Sequence, residues 1–216
     1  MRVVVKVGSN TLTTQHGRLD RRYVASLVDQ ISECVHTSHE VVLVTSGAIA
    51  AGLEVLGADT RPGADDIAGL QAAASVGQVA LIEAWASEFG RRGLNIGQVL
   101  LTRSDTENEV SYAHACATFE RLLSLGAVPV VNENDTVAVE EIRYGDNDAL
   151  AALVAQMIGA TLVVVLTDVE GLYDNDPRTI AGARLIERVR GVDDELLARV
   201  HVDEMGSGLG SGGDRK

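Results

Sequence analysis

Apolar residues along this chain follow two alternating rhythms. Short unbroken runs, RVVVKVG, EVVLVTS, IGQVLLT, GAVPVVN and TLVVVLTD, are separated by longer stretches where apolar positions recur every three or four residues. An unbroken run of that length suits a strand covered on both faces. In YVASLVDQISEC, Val24, Leu27, Val28 and Ile31 fall on one face, predicting a helix from Asp20 to about Cys34. GAIAAGLEVLG predicts a short helix. TRPGA, Thr60 to Ala64, interrupts the pattern before a long helical region from about Asp65 to Phe89. Further helices are expected from about Tyr112 to Leu123 and from near Asn147 through ALAALVAQMIGA.

Strands alternating with helices predict a three-layer α/β/α sandwich with a mostly parallel central sheet. Ligands of such sheets bind beyond the carboxyl ends of the strands. The predicted strands all end in small or polar residues: Gly8-Ser9-Asn10, Thr45-Ser46-Gly47, Thr102-Arg103-Ser104, Asn132 to Asp135, and Thr167-Asp168. Their convergence on one rim is a stronger signal than any single end.

Composition narrows the picture only a little. The 216 residues are 46% hydrophobic and 23% charged, enough for one sizeable domain. Aromatics make up only 3%, so Val, Leu, Ile and Ala must fill the core, as suits helices on a parallel sheet. The net charge of -13, without a Lys/Arg cluster, argues against nucleic acid and against an anionic membrane surface as partners. Cys34 and Cys116 have no partners of metal or redox spacing and are expected to be buried free thiols. The apolar run in MRVVVKVGSN is too short for a signal peptide, and no stretch approaches a membrane span. The cytoplasm is the expected compartment.

The densest chemistry lies between Val131 and Ala155, where Asn132, Glu133, Asn134, Asp135, Asp146, Asn147 and Asp148 sit between two apolar segments. Polar groups buried without partners cost ~1–3 kcal/mol each, so a bound polar ligand or a metal is expected to supply them. Asp135, Asp146, Asn147 and Asp148 have the chemistry to hold an amine, a metal or catalytic lysines. The alternative is turn chemistry in an acidic surface loop, which fits Glu140 and Glu141 better than GDND. Lys6, just before Gly8, directs a cation at the rim; the alternative is a lysine snorkelling from an edge strand. Gly8 and Gly47 leave room for backbone N–H groups to approach an anion. TSGAIAAG sets Ser46 and Gly47 at a helix N-terminus, either for a negative ligand or as an ordinary serine cap.

Other signals are weak or missing. GLGSGG, Gly208 to Gly213, has dinucleotide-loop spacing but no helix after it, and a flexible tail is the alternative. No P-loop, HExxH or GxSxG pattern occurs. The histidines at 16, 36, 39, 114 and 201 are scattered and read as surface or structural residues. One lysine with several acidic groups at a rim suits phosphoryl transfer, where catalysis is mainly positioning and charge neutralisation. The pattern alone does not name a substrate.

KVGSN, TSGAIAAG, GQVLLTR, PVVNENDTV, GDNDALAALVA, VVLTDVEGLYDNDPR and GLGSGG together resemble the glutamate 5-kinases of the amino-acid kinase family, in order over essentially the whole chain. The resemblance implies ATP and Mg2+ as cofactors and transfer of the γ-phosphoryl group to the side-chain carboxylate of L-glutamate. It implies that Lys6 contacts the transferring group, that Ser46, Asp135 and Asn147 bind glutamate, and that Asp148 orients the catalytic lysines. Thr167 and Asp168 match a nucleotide-binding pair, and Ser211, Gly212 and Gly213 match the nucleotide loop. Lys216 stands near the second catalytic lysine, one residue short of the family spacing. No dedicated metal cage is expected. Proline is implied as feedback inhibitor, expected to act through the Glu140–Tyr144 loop, and a homo-oligomer is implied as the assembly. Residues 1–216 read as one kinase domain without the C-terminal end of its nucleotide lobe and without a PUA domain. A non-catalytic glutamate- or proline-binding module, or a related kinase with another acceptor, are the competing readings.

Overall fold

The computed structural model describes residues 1–58, 60–138, 147–194, 196 and 200. All the apolar runs form strands: β1 (Arg2–Val7), β2 (Glu40–Val44), β3 (Ile96–Leu101), β4 (Val128–Glu133) and β5 (Leu162–Leu166). They make one sheet in the order β3-β4-β2-β1-β5, and all its pairings are parallel.

Two helical layers cover the sheet. On one face α2 (Arg21–His36), α3 (Ala48–Leu56) and α4 (Ile67–Arg91) bury Val24, Leu27, Ala51, Leu81, Trp85 and Phe89 against Val7, Val41, Leu43 and Val130. On the other, α6 (Glu109–Ser124) and α7 (Asp148–Met157) bury Phe119, Leu123, Leu150 and Val154 against Val4, Val42, Val44 and Val131. Alternate β2 residues thus enter opposite cores, which is why the strand reads as continuously apolar. The three-layer α/β/α sandwich is the expected architecture.

Two short helices are invisible in the hydrophobic pattern. α1 (Ser9–Leu12) is one turn after β1. α5 (Arg103–Glu107) starts from a capping box in which Thr102 and Asp105 satisfy each other's backbone N–H groups. α6 begins before the expected Tyr112 because Asn108 Oδ1 accepts from the N–H groups of Val110 and Ser111, at 3.0 Å each. Capping sets both starts, and periodicity does not record caps.

Other expectations require correction. Both cysteines are free, but Cys34 is exposed and Cys116 only half-buried. The apolar stripe of α2 continues through Val35, leaving Cys34 at its solvent edge. α4 is long and apolar enough, by length and composition, to cross a membrane. That apolarity serves packing, because Leu70, Ala73, Ala74, Leu81, Trp85 and Phe89 are in the core. α4 also crosses α3 very closely. A Cβ on Gly52 would stand 1.8 Å from the Ala73 carbonyl oxygen, and one on Gly77 would stand 1.8 Å from that of Ala48.

Candidate active site at the carboxyl rim of the sheet

The parallel strands carry all their carboxyl ends to one rim, and period-two alternation decides which side chains meet there. Lys6 shares the side of β1 that carries Val4, so it points toward the layer of α6 and α7. Its side chain is only 3% exposed, and Nζ forms an ion pair with Asp148 Oδ1. Asp148 is the first residue of α7, where the helix dipole also favours a carboxylate. β1 lies between β2 and β5, so Lys6 is not an edge-strand lysine. A buried ammonium on an interior strand requires an anionic partner.

Asn147 precedes Asp148 as the N-cap of α7, yet its side chain makes no capping bond. Its Nδ2 donates instead to the Thr45 carbonyl at 2.6 Å and to Asn132 Oδ1 at 2.8 Å. Asn132 Nδ2 in turn donates to Gln78 Oε1 of α4, also at 2.8 Å. Thr45 Oγ1 accepts from the Trp85 indole N–H at 3.3 Å. The polar run at the end of β4 therefore finds much of its satisfaction inside the protein, which the sequence reading assigned to a ligand or metal.

Ser46 is buried, and its hydroxyl donates to the Val7 carbonyl at 3.0 Å. It does not cap α3. Gly47 holds the cap position with φ of 94°, in the left-handed region that favours glycine. Ser46 and Gly47 thus bring the start of α3 beside the end of β1. There the Gly8 N–H donates to the Leu166 carbonyl at 3.2 Å, and Asn10 Nδ2 donates to Asp168 Oδ2 at 3.1 Å. Thr167 Oγ1 donates to the other carboxylate oxygen of Asp168 at 3.2 Å. The ends of β1, β2 and β5 are cross-linked by these contacts.

A cavity of about 390 Å³ opens along β5, lined by Asp148, Thr167, Glu170, Gly171 and Tyr23 among others. That size is within the range of small-molecule sites. Asp148 is thus shared between the buried lysine and an open cavity. A second cavity, of about 480 Å³, lies between α5 and α7, against the buried Glu133.

Of the residues singled out in the sequence, Lys6 and Asp148 are in direct contact. Asn147 joins Thr45, the neighbour of Ser46, and Thr167-Asp168 joins the β1 end through Asn10. Asp135 is half-buried in the turn after β4, where the Asn134 N–H donates to the Leu101 carbonyl at 2.8 Å. Asp146, the Glu140–Tyr144 loop, Ser211, Gly212, Gly213 and Lys216 lie outside the described residues. Gln78 and Trp85 are absent from the sequence reading. Both look like ordinary members of an apolar helix, and no local pattern marks them.

The model of the amino acid kinase family matches residues 1–214, and the chain belongs to that family. It is 52% identical over 211 residues to the glutamate 5-kinase of Mycobacterium leprae strain TN, a match covering 98% of this chain and 56% of the relative. It is 51% identical over 213 residues to the glutamate 5-kinase of Streptomyces coelicolor, with the same coverage. The chain spans about half the length of these curated relatives.

Proposed function

We propose that this chain forms the acceptor site and part of the nucleotide site of an ATP-dependent glutamate 5-kinase. The reaction makes γ-glutamyl phosphate from L-glutamate, the first step of proline biosynthesis. The observation that carries the reading is the buried Lys6–Asp148 pair, which opens on the β5 cavity and adjoins the inward-held amide of Asn147. Family membership and the glutamate 5-kinase relatives support the substrate choice.

In this mechanism a glutamate side-chain carboxylate oxygen attacks the γ-phosphorus of ATP. The new O–P bond forms as the bond to the β–γ bridging oxygen breaks, and ADP leaves with that electron pair. No covalent enzyme intermediate is needed. Lys6 neutralises the charge on the transferring group, and Asp148 holds its ammonium in place. Ser46, Asp135 and Asn147 bind glutamate, with Asp135 matching an α-ammonium group in charge. Thr167 and Asp168 contact the nucleotide. Ser211, Gly212 and Gly213, with Lys216 as second lysine, are assigned to the phosphates from the family resemblance alone.

Magnesium supplies phosphate charge neutralisation when bound. The rim carboxylates of Asp148 and Asp168 are hard oxygen donors that suit it, and it normally reaches such sites on the substrate phosphates. The same reading carries a cytoplasmic kinase domain over residues 1–216, a homo-oligomer, and proline inhibition through the Glu140–Tyr144 loop.

A coupled ADP-release assay with ATP, magnesium and glutamate, run beside aspartate and N-acetylglutamate, tests the proposal. Turnover that depends on glutamate is expected. A folded sample that turns over only with another acceptor would move the chain to a different kinase. Glutamate binding by calorimetry, without ATP binding or turnover, would instead make it a binding module.

A further inference from the structure

The acceptor amide of Asn147 does not stand alone; its orientation runs back through a chain of buried amides to α4. Each amide has a donor end and an acceptor end, and the fixed points decide which way each one faces. The Thr45 carbonyl can only accept, so the group 2.6 Å from it must be Asn147 Nδ2. The second Nδ2 proton reaches Asn132 Oδ1 at 2.8 Å. Asn132 must then turn its own Nδ2 toward α4, where Gln78 Oε1 receives it at 2.8 Å. Both N–H donors of Asn147 are consumed inside the protein, and its Oδ1 is turned away from them as an acceptor. An amide oxygen complements an ammonium donor.

We propose that Gln78 is a positioning residue for the acceptor site. It holds Asn132, and through Asn132 it fixes Asn147 with its carbonyl oxygen presented to the amino group of the substrate. This inference rests on the reading of the site as an amino-acid acceptor site.

The surroundings of Gln78 are built for accuracy. The preceding residue, Gly77, sits so close to α3 that a Cβ there would meet the Ala48 carbonyl oxygen at 1.8 Å. α4 is thereby seated on the helix that starts immediately after Ser46 and Gly47. About two turns further along, Trp85 donates to the Thr45 hydroxyl at 3.3 Å, so α4 holds Thr45 as well. The same helix thus positions both groups that receive the protons of Asn147: Thr45 directly and Asn132 through Gln78. Asn132 and Asn147 are 2% and 6% exposed, so bulk water does not readily replace a lost partner.

The test compares Gln78→Leu, which removes the acceptor at similar volume, with Gln78→Glu, which keeps an oxygen at the same place. Gln78→Leu should raise the KM for glutamate about tenfold, the scale of one hydrogen bond, with kcat and the KM for ATP changed less than about twofold. Gln78→Glu should recover most of that loss. An unchanged glutamate KM in Gln78→Leu would overturn the proposal. So would equal damage by Gln78→Glu, or a parallel rise in both KM values, which would mark a general structural role. A readout independent of turnover is the side-chain amide signal of Asn147 in a ¹H–¹⁵N spectrum, identified by its loss in Asn147→Ala. Gln78→Leu should shift it and speed its exchange with solvent, whereas Gln78→Glu should leave it protected. If the wild-type chain lacked glutamate turnover, the functional reading would fail while this spectrum still decided the amide relay; an indifferent Asn147 signal would sink it.

Discussion

Lys6, on an interior strand, and Asp148, at the first turn of α7, form an ion pair although 142 positions (148 − 6) separate them in the numbering. The lysine side chain is 3% exposed and the aspartate side chain 28% exposed, so one partner is sealed and the other borders the β5 cavity. The arrangement keeps a cation at the sheet rim without letting it drift into solvent. Each end of the pair carries a different prediction.

Asp148→Asn leaves the buried ammonium of Lys6 facing a neutral amide. Truncating one partner of a buried pair should cost about 3 kcal/mol of stability. Urea unfolding should show a lower midpoint with an unchanged m-value. A midpoint equal to wild type would mean that the pair contributes nothing to the fold.

Lys6→Met removes charge from the point where the phosphoryl group is proposed to pass. We expect kcat to fall by a factor of about 10²–10³, as when one preorganised electrostatic group is deleted, with little change in glutamate KM. Steady-state kinetics with both substrates varied checks this. A normal kcat would remove Lys6 from the chemistry.

The α3–α4 crossing gives a prediction that does not depend on function. Gly52→Ala and Gly77→Ala each place a methyl group 1.8 Å from a backbone carbonyl oxygen, so the helices must separate. Overpacking of this kind should cost about 1–3 kcal/mol or more, read as a lower Tm by calorimetry. Gly17→Ala, where a Cβ meets nothing within 4 Å, makes a useful contrast. Its φ of 70° still strains the backbone, so a mild loss is expected there.

Charge pairing at the periphery should be visible by titration. The Arg92 guanidinium, 2.6 Å from Asp29, holds that carboxyl below the ordinary carboxylate range. A depressed folded-state value means the contribution is present above the unfolded value and is lost as pH falls through the folded one. Asp29 is at the surface, where such pairs contribute little. The check is therefore an NMR titration of its carboxyl, which should rise toward the ordinary value in Arg92→Ala. A carboxyl that titrates identically in both proteins would contradict the pairing.

Much of the fold was legible in the sequence because burial on both faces leaves a plain record. The valine-rich runs of β1, β2 and β4 needed no tertiary information to be recognised as strands covered on both faces, and α2 showed its core stripe outright. The rim was legible too, since parallel strands must all end on one side and their ends here are small or polar. What local pattern did not record was capping. Asn108 and Thr102 set helix starts through hydrogen bonds that hydrophobicity does not encode. The exposure of Cys34 was likewise undecidable from composition, because a shift of one residue around α2 exchanges it with Val35.

By itself the sequence determined the class of the fold, the rim on which the strand ends meet, and the residue types available there. Lys6, Ser46, Asn147, Asp148, Thr167 and Asp168 could all be picked out. Only the tertiary structure decided who satisfies whom. Asn147 reaches Thr45 across 102 positions and Asn132 reaches Gln78 across 54, and neither spacing leaves a local signature. Hydrogen-bond direction is a property of three-dimensional neighbours. The polar run after β4 could therefore be read as needing partners, but whether a ligand or the protein's own amides met that need was settled by the packing of α4 against the sheet.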